Sequence, residues 1–144
     1  MTENRALHED DVEAFVRRWL ACYTRGDVAG ALACYTADVE FEDPVFGERV
    51  QGRDALGVLF ESFFHSGVTR LAFQRWTGGV TGGAVEWLWT ANWGPGRTFL
   101  GVDVANRSFS VRGVSVLGLR DGLIARQVDL WDVRGALRQV GALP

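Results

Sequence analysis

A chain of 144 residues, 47% apolar and 23% charged, has the length and composition of one globular domain with a sizeable core, so a single domain over 1–144 is expected. Its net charge of −3 leaves no basic field to hold a phosphate backbone, which sets nucleic acid aside as a partner. All fifteen cationic residues are arginine, and without lysine there is no Schiff-base chemistry, no pyridoxal phosphate attachment and no P-loop lysine.

Cys22 and Cys34 form no CxxC pair, and only His8 and His65 carry imidazoles, so neither a metal site nor a cofactor is expected. The opening residues do not have the charged-then-apolar order of a secretory signal, and no window approaches the roughly 18 apolar residues of a membrane span. The expectation is a cytoplasmic protein with two reduced thiols and no membrane partner.

In chain order, Val12, Phe15, Val16, Trp19, Leu20 and Tyr23 recur on one helical face over Asp10 to Tyr23, with Asp10 or Asp11 as cap and Gly26 as stop. Asp27 caps a second helix carrying Val28, Ala31, Leu32 and Tyr35 and ending by Ala37. Alternation over Val39 to Asp43 predicts a strand that Pro44 ends. Asp54 caps a third helix, with Leu56, Leu59, Phe60, Phe63 and Phe64 in a broad stripe ending near Gly67. Strands follow over Thr69 to Thr77, Ala84 to Trp93, Asn106 to Arg120 and Leu123 to Asp132, then a short helix over Val133 to Val140. Helices first and a long meander afterwards predict an α+β domain: a cone-shaped α+β barrel, its N-terminal helices packed on a strongly bent, mostly antiparallel sheet that encloses a pocket.

Two carboxylates are candidates for chemistry. The phase of its strand puts Asp43 with Val39 and Phe41, where desolvation raises a carboxyl pKa toward that of a useful general base; the plainer role is an Asx turn ahead of Pro44. In the last strand Ala125, Gln127, Asp129 and Trp131 share one face and Ile124, Val128 and Leu130 the other. The first face mixes polar groups with a ring, as a pocket lining does; a solvated sheet face would read the same way. Asp132, on the opposite phase, suits the N-cap of the final helix. Trp87, Trp89 and Trp93 share a face suited to a flat hydrophobic ligand or to plain core, Glu86 lies opposite them toward solvent or an interface, and His65 suits a helix C-terminus. Phe41, beside Asp43, and Phe60, in the third helix, join the set of substrate-binding candidates.

The order of elements, with RGDVAGALACYTADVEFEDPVFGERVQGRDAL near the start and GVSVLGLRDGLIARQVDLWDVRGALRQVGALP at the end, resembles the nuclear transport factor 2-like superfamily, most of all its ketosteroid isomerases and SnoaL-like polyketide cyclases. The resemblance implies that Asp43, in Glu42-Asp43-Pro44-Val45, is the base that shuttles a proton between carbons. It places Trp19 and Ser115 where the isomerases carry a tyrosine and a protonated aspartate as oxyanion donors. It also implies an acid/base role for Asp129, in Asp129-Leu130-Trp131-Asp132, as in the cyclases and the related limonene epoxide hydrolases. Trp87 and Trp89 stand where those hydrolases carry an arginine and a second aspartate.

The resulting expectation is a cofactor-independent isomerase- or cyclase-type enzyme acting on a small hydrophobic enolisable substrate. Asp43 and Asp129 are its catalytic pair, and Trp19, Phe41, Phe60, Trp87, Trp89, Ser115, Gln127 and Trp131 bind the substrate. The alternatives are a noncatalytic binding module of the same fold and an epoxide hydrolase using Asp129. A homodimer through the outer sheet face is expected, because the last strands are apolar on both sides.

Overall fold

The computed structural model describes residues 9–65 and 68–144, the side chains of Glu9, Asp10 and Val68 excepted; His8 and Gly67 lie outside these residues. Helix α1, Glu9–Arg25, buries Val12, Phe15, Val16, Trp19, Leu20 and Tyr23, and Gly26 ends it at φ 66°. It starts earlier than expected, which puts Asp11 inside the helix and not at its cap. Asp27 does cap α2, Val28–Leu32, accepting the Gly30 N–H at 2.9 Å.

The second helix stops at Leu32, five residues short of Ala37. Tyr35 and Thr36, aromatic and β-branched, instead open strand β1, Tyr35–Asp43, where Tyr35 pairs with Ile124. Strand β2, Glu48–Gln51, folds back antiparallel on β1. The sequence reading had no strand there, because this edge segment alternates only between half-buried and exposed positions. Helix α3, Arg53–Phe64, is capped by Gly52 at φ 92°, and Asp54 sits in its first turn, not at the cap. Leu56, Phe60 and Phe64 are its buried face. His65 follows as the C-cap, its Nε2 3.3 Å from Glu61 Oε2.

Strands β3, Val68–Gly79, and β4, Gly82–Asn92, form a long hairpin. A two-stranded excursion, β5 (Thr98–Phe99) and β6 (Val102–Asp103), precedes β7, Ser108–Arg120, and β8, Leu123–Trp131. Helix α4, Val133–Gln139, closes the chain, with Asp132 as its N-cap accepting the Gly135 N–H at 2.8 Å.

The main sheet runs β2-β1-β8-β7-β4-β3, antiparallel throughout except for the β1–β8 seam. Register shifts in β1–β8, β3–β4 and β7–β8 each add local twist, and together they curl the sheet strongly. Helix α1 packs against β3 and α3 against β1, so the concave face encloses the core. This is the expected α+β architecture. Glu86, on the outer face, meets Arg112 at 3.6 Å. Cys22 and Cys34 are free thiols, and no described helix is long and apolar enough to cross a membrane.

Candidate functional site

The concave side of the sheet holds a cavity of about 230 Å³. It is lined from α1, α3 and strands β1, β2, β3, β4, β5, β7 and β8, together with Phe46 of the β1–β2 turn and Leu100 after β5. The ten site residues expected from sequence all reach it: Trp19 from α1, Phe41 and Asp43 from β1, Phe60 from α3, Trp87 and Trp89 from β4, Ser115 from β7, and Gln127, Asp129 and Trp131 from β8. The period of two does this work, because odd positions of β1, β4, β7 and β8 point inward together.

Asp43 is both the turn former and the buried acid. It is 6% exposed, and its Oδ1 accepts the backbone N–H groups of Val45 at 3.0 Å and Phe46 at 3.1 Å. Trp131 Nε1 donates to Oδ2 at 3.1 Å. Burial raises its pKa above the usual carboxylate value, while the donors from Phe46, Trp131 and Val45 favour the ionised form and moderate the rise. Glu48, its register partner on β2, also lines the cavity and is pushed up by its own burial and by the Asp43 charge.

Asp129 is the more strongly perturbed acid. Ser115 Oγ donates to its Oδ1 at 2.6 Å and Gln127 Nε2 donates to the same oxygen at 2.9 Å. Among the described residues nothing bonds to Oδ2. The carboxyl keeps a partial opening on the cavity, but its surroundings strip it of bulk water, and burial lifts its pKa to about 7 against the pull of Ser115 and Gln127. The negative charge of Asp43 adds to the rise.

The donors expected for a substrate oxygen have other partners here. Trp19 Nε1 donates to Tyr35 Oη at 2.9 Å, and the Ser115 hydroxyl is directed at Asp129, its oxygen accepting Trp87 Nε1 at 3.0 Å. Trp87 needs room for this contact, and Gly113 supplies it: a Cβ there would stand 2.3 Å from the indole ring. The N–H groups of Trp89 and Trp93 are buried without an acceptor among the described residues. Trp89 meets the Phe109 ring edge-on at 4.9 Å and the Trp131 ring at 5.1 Å.

Phe46, Glu48 and Phe99 are cavity residues that the sequence reading missed, since a turn and two short strands carry no periodicity. Tyr23 was visible only as part of a helical stripe, and Tyr35 only as a helix residue. Among the described residues no three His, Cys, Asp or Glu side chains are grouped to share a metal ion.

The architecture recurs in solved structures. TsrD from Streptomyces laurentii superposes with a TM-score of 0.80 at 22% identity over 95% of this chain and 99% of its own. A candidate polyketide cyclase from a Silicibacter species gives 0.78 at 23% identity, covering 94% and 99%. A hypothetical protein with a ketosteroid isomerase-like fold from Catenulispora acidiphila, in complex with trimethylamine, gives 0.74 at 18% identity, covering 90% and 93%. At such identities the likeness shows the fold. Among curated proteins none matches the chain. Residues 16–127, from the middle of α1 to Gln127 of β8, match the SnoaL-like domain, and the chain therefore belongs to the SnoaL-like family.

Proposed function

We propose that this chain is a cofactor-independent acid/base enzyme that moves a proton on a small, flat, hydrophobic, enolisable substrate, as an isomerase or a polyketide cyclase does. The observation that carries the reading is Asp129: a carboxyl whose pKa lies at about 7, held by two donors on Oδ1, with no partner on Oδ2 among the described residues, lining the same cavity as Asp43. In the reaction, ionised Asp43 removes a proton from the carbon beside the substrate carbonyl, and the electron pair moves into the enolate. Protonated Asp129 keeps its proton and donates a hydrogen bond from Oδ2 to the oxygen on which that charge develops, and the proton held by Asp43 returns to another carbon of the enolate to complete an isomerisation. In a cyclisation the enolate carbon attacks a second carbonyl of the same molecule, and the new alkoxide takes the Asp129 proton. Trp89, Trp131, Phe41 and Phe60 supply the apolar walls that hold a flat ring system and keep water from the enolate. The partners of the chain on this reading are the small hydrophobic substrate and a second copy of itself.

The test is incubation with a panel of enolisable ketones in D₂O, with deuterium incorporation followed by NMR in wild type, Asp43→Asn and Asp129→Asn. Exchange that collapses in Asp43→Asn and slows in Asp129→Asn is the expected result. Binding of the same ketones without exchange, unchanged in both Asn variants, would replace the reading with a noncatalytic binding module. Diol formation from an epoxide, lost in Asp129→Asn, would replace it with epoxide hydrolysis.

A further inference from the structure

Tyr35 lies behind the cavity wall, with 0% of its surface exposed, and makes no contact with the space a ligand would occupy. It is nevertheless the centre of a hydrogen-bond cluster in which its own proton and that of Trp19 are fixed by their partners. The indole of Trp19 can only donate, so at 2.9 Å the Tyr35 oxygen accepts from it. At 2.6 Å from Gln127 Oε1, an atom that can only accept, Tyr35 must place its single proton on that bond. The 3.2 Å contact between the two tyrosine hydroxyls then leaves Tyr23 to donate either to Tyr35 or to Gln127, its other partner. With Oε1 receiving from Tyr35, the other end of the Gln127 amide is NH₂, and it is this end that meets Asp129 Oδ1 at 2.9 Å. The opposite rotamer would set an amide oxygen against a carboxylate oxygen and take from Oδ1 one of its two donors, leaving Ser115 alone.

We infer that Tyr35 is a positioning residue for Asp129: it locks the Gln127 amide with its NH₂ toward Oδ1, which directs the proton of the acid to Oδ2, on the cavity side. Trp87 and Ser115 close the same oxygen from the other side, so two chains, each headed by an indole N–H, end on one carboxyl oxygen. The titratable groups facing Asp129 are Asp43 and Tyr35 of β1 and Tyr23 of α1, and no arginine of the described residues lines the cavity to compete with them. This role rests on reading Asp129 as the acid of the site, but its test needs no turnover.

Carbon-13 carboxyl NMR follows the titration of Asp129 directly, with the resonance assigned by its loss in Asp129→Asn. Tyr35→Phe is expected to raise the midpoint by about one pH unit, the worth of one donor to the ionised form. Gln127→Met should give the same rise, and the double variant no more than Gln127→Met alone. A folded Tyr35→Phe with an unmoved midpoint, or two effects that add, would overturn the assignment. Tyr23 and Tyr35 are the only tyrosines, so biosynthetic 3-fluorotyrosine gives a second route if Tyr35→Phe does not fold. The more acidic phenol donates more strongly to Gln127, and the midpoint should fall in the wild-type background and stay put with Gln127→Met. No fall in the wild-type background equally overturns the relay. Ketone exchange can fail while these shifts appear, or succeed while they do not, so the fates of the two readings are separable.

Discussion

Asp129 accepts two short bonds and still titrates at about 7, because what it gains from Ser115 and Gln127 is less than what it loses by leaving water. This has a consequence for stability. An unfolded aspartate titrates near 3.8, so between that pH and about 7 the folded chain keeps a proton that the unfolded chain has released. The contribution of Asp129 to stability is full below that window, falls as pH rises through it and levels off above about 7, a loss on the order of 2 kcal/mol between about pH 5 and about pH 8. Urea unfolding at the two pH values checks this, and Asp129→Asn should flatten the profile. The rate of ketone exchange should follow a bell. It rises as Asp43 ionises, at a pH above the ordinary aspartate range, and falls through about 7 as Asp129 loses the proton it must donate. An exchange rate still climbing well above neutrality would remove Asp129 from the acid role. Both acids were legible in the sequence from strand phase alone, since alternation put Asp43 with Val39 and Phe41 and Asp129 with Gln127 and Trp131. Hydrogen-bond direction was not. Trp19 and Ser115 read as substrate donors until their acceptors, one of them a tyrosine assigned to the wrong element, came into view.

The β5–β6 excursion shows what an element too short for periodicity can do. Phe99 is 3% exposed and touches the rings of Phe46, Trp89, Trp93, Phe109 and Trp131, with centroids 5.2 to 6.2 Å away. Leu100 at φ 50° and Gly101 at φ 77° turn the chain back between Phe99 and Val102, and positive φ at both positions suits the right-handed twist of the hairpin. Leu100, an uncommon residue in that conformation, puts its side chain at the cavity rim. Phe99→Ala should cost about 3 kcal/mol in chemical denaturation, the range for an aromatic ring removed from a core. It should also widen the set of ketones that bind, since the lost ring lines the cavity. An unchanged ligand range with the full stability loss would make Phe99 core alone. In the sequence this stretch showed only glycines and a proline, the marks of a turn. The Tyr35 error has the opposite cause: its spacing fits the stripe of α2, but pairing with β8 outweighs five more residues of helix.

For the whole molecule, the one parallel seam, β1 against β8, joins segments from opposite ends of the chain and brings the two acids together. Local patterns gave helices, hairpins and the α+β class, but no local pattern encodes a contact over some 90 residues; Asp43 and Trp131, 88 positions apart, meet only through that seam. The outer face of β8 and its neighbour β7 remains half covered. Val114 stands opposite Leu130 and Val116 opposite Val128, with Val116 39% and Leu130 45% exposed. Light scattering at micromolar concentration should give the mass of a dimer, and Leu130→Arg, which places a charge in that patch, should give a monomer that still binds ketones. A wild-type monomer would end the proposal that a second copy covers this face.

Five of the six tryptophans, Trp19, Trp87, Trp89, Trp93 and Trp131, line one cavity, and only Trp76 stands apart on β3. The indole fluorophores of this protein therefore stand almost entirely around the cavity. A conjugated ketone entering the cavity lies within energy-transfer range of every one of those indoles and should quench nearly the whole signal, leaving the residual glow of Trp76. The chain carries its own optical readout of occupancy, and a titration cuvette with no label and no known reaction is enough to find out what it binds.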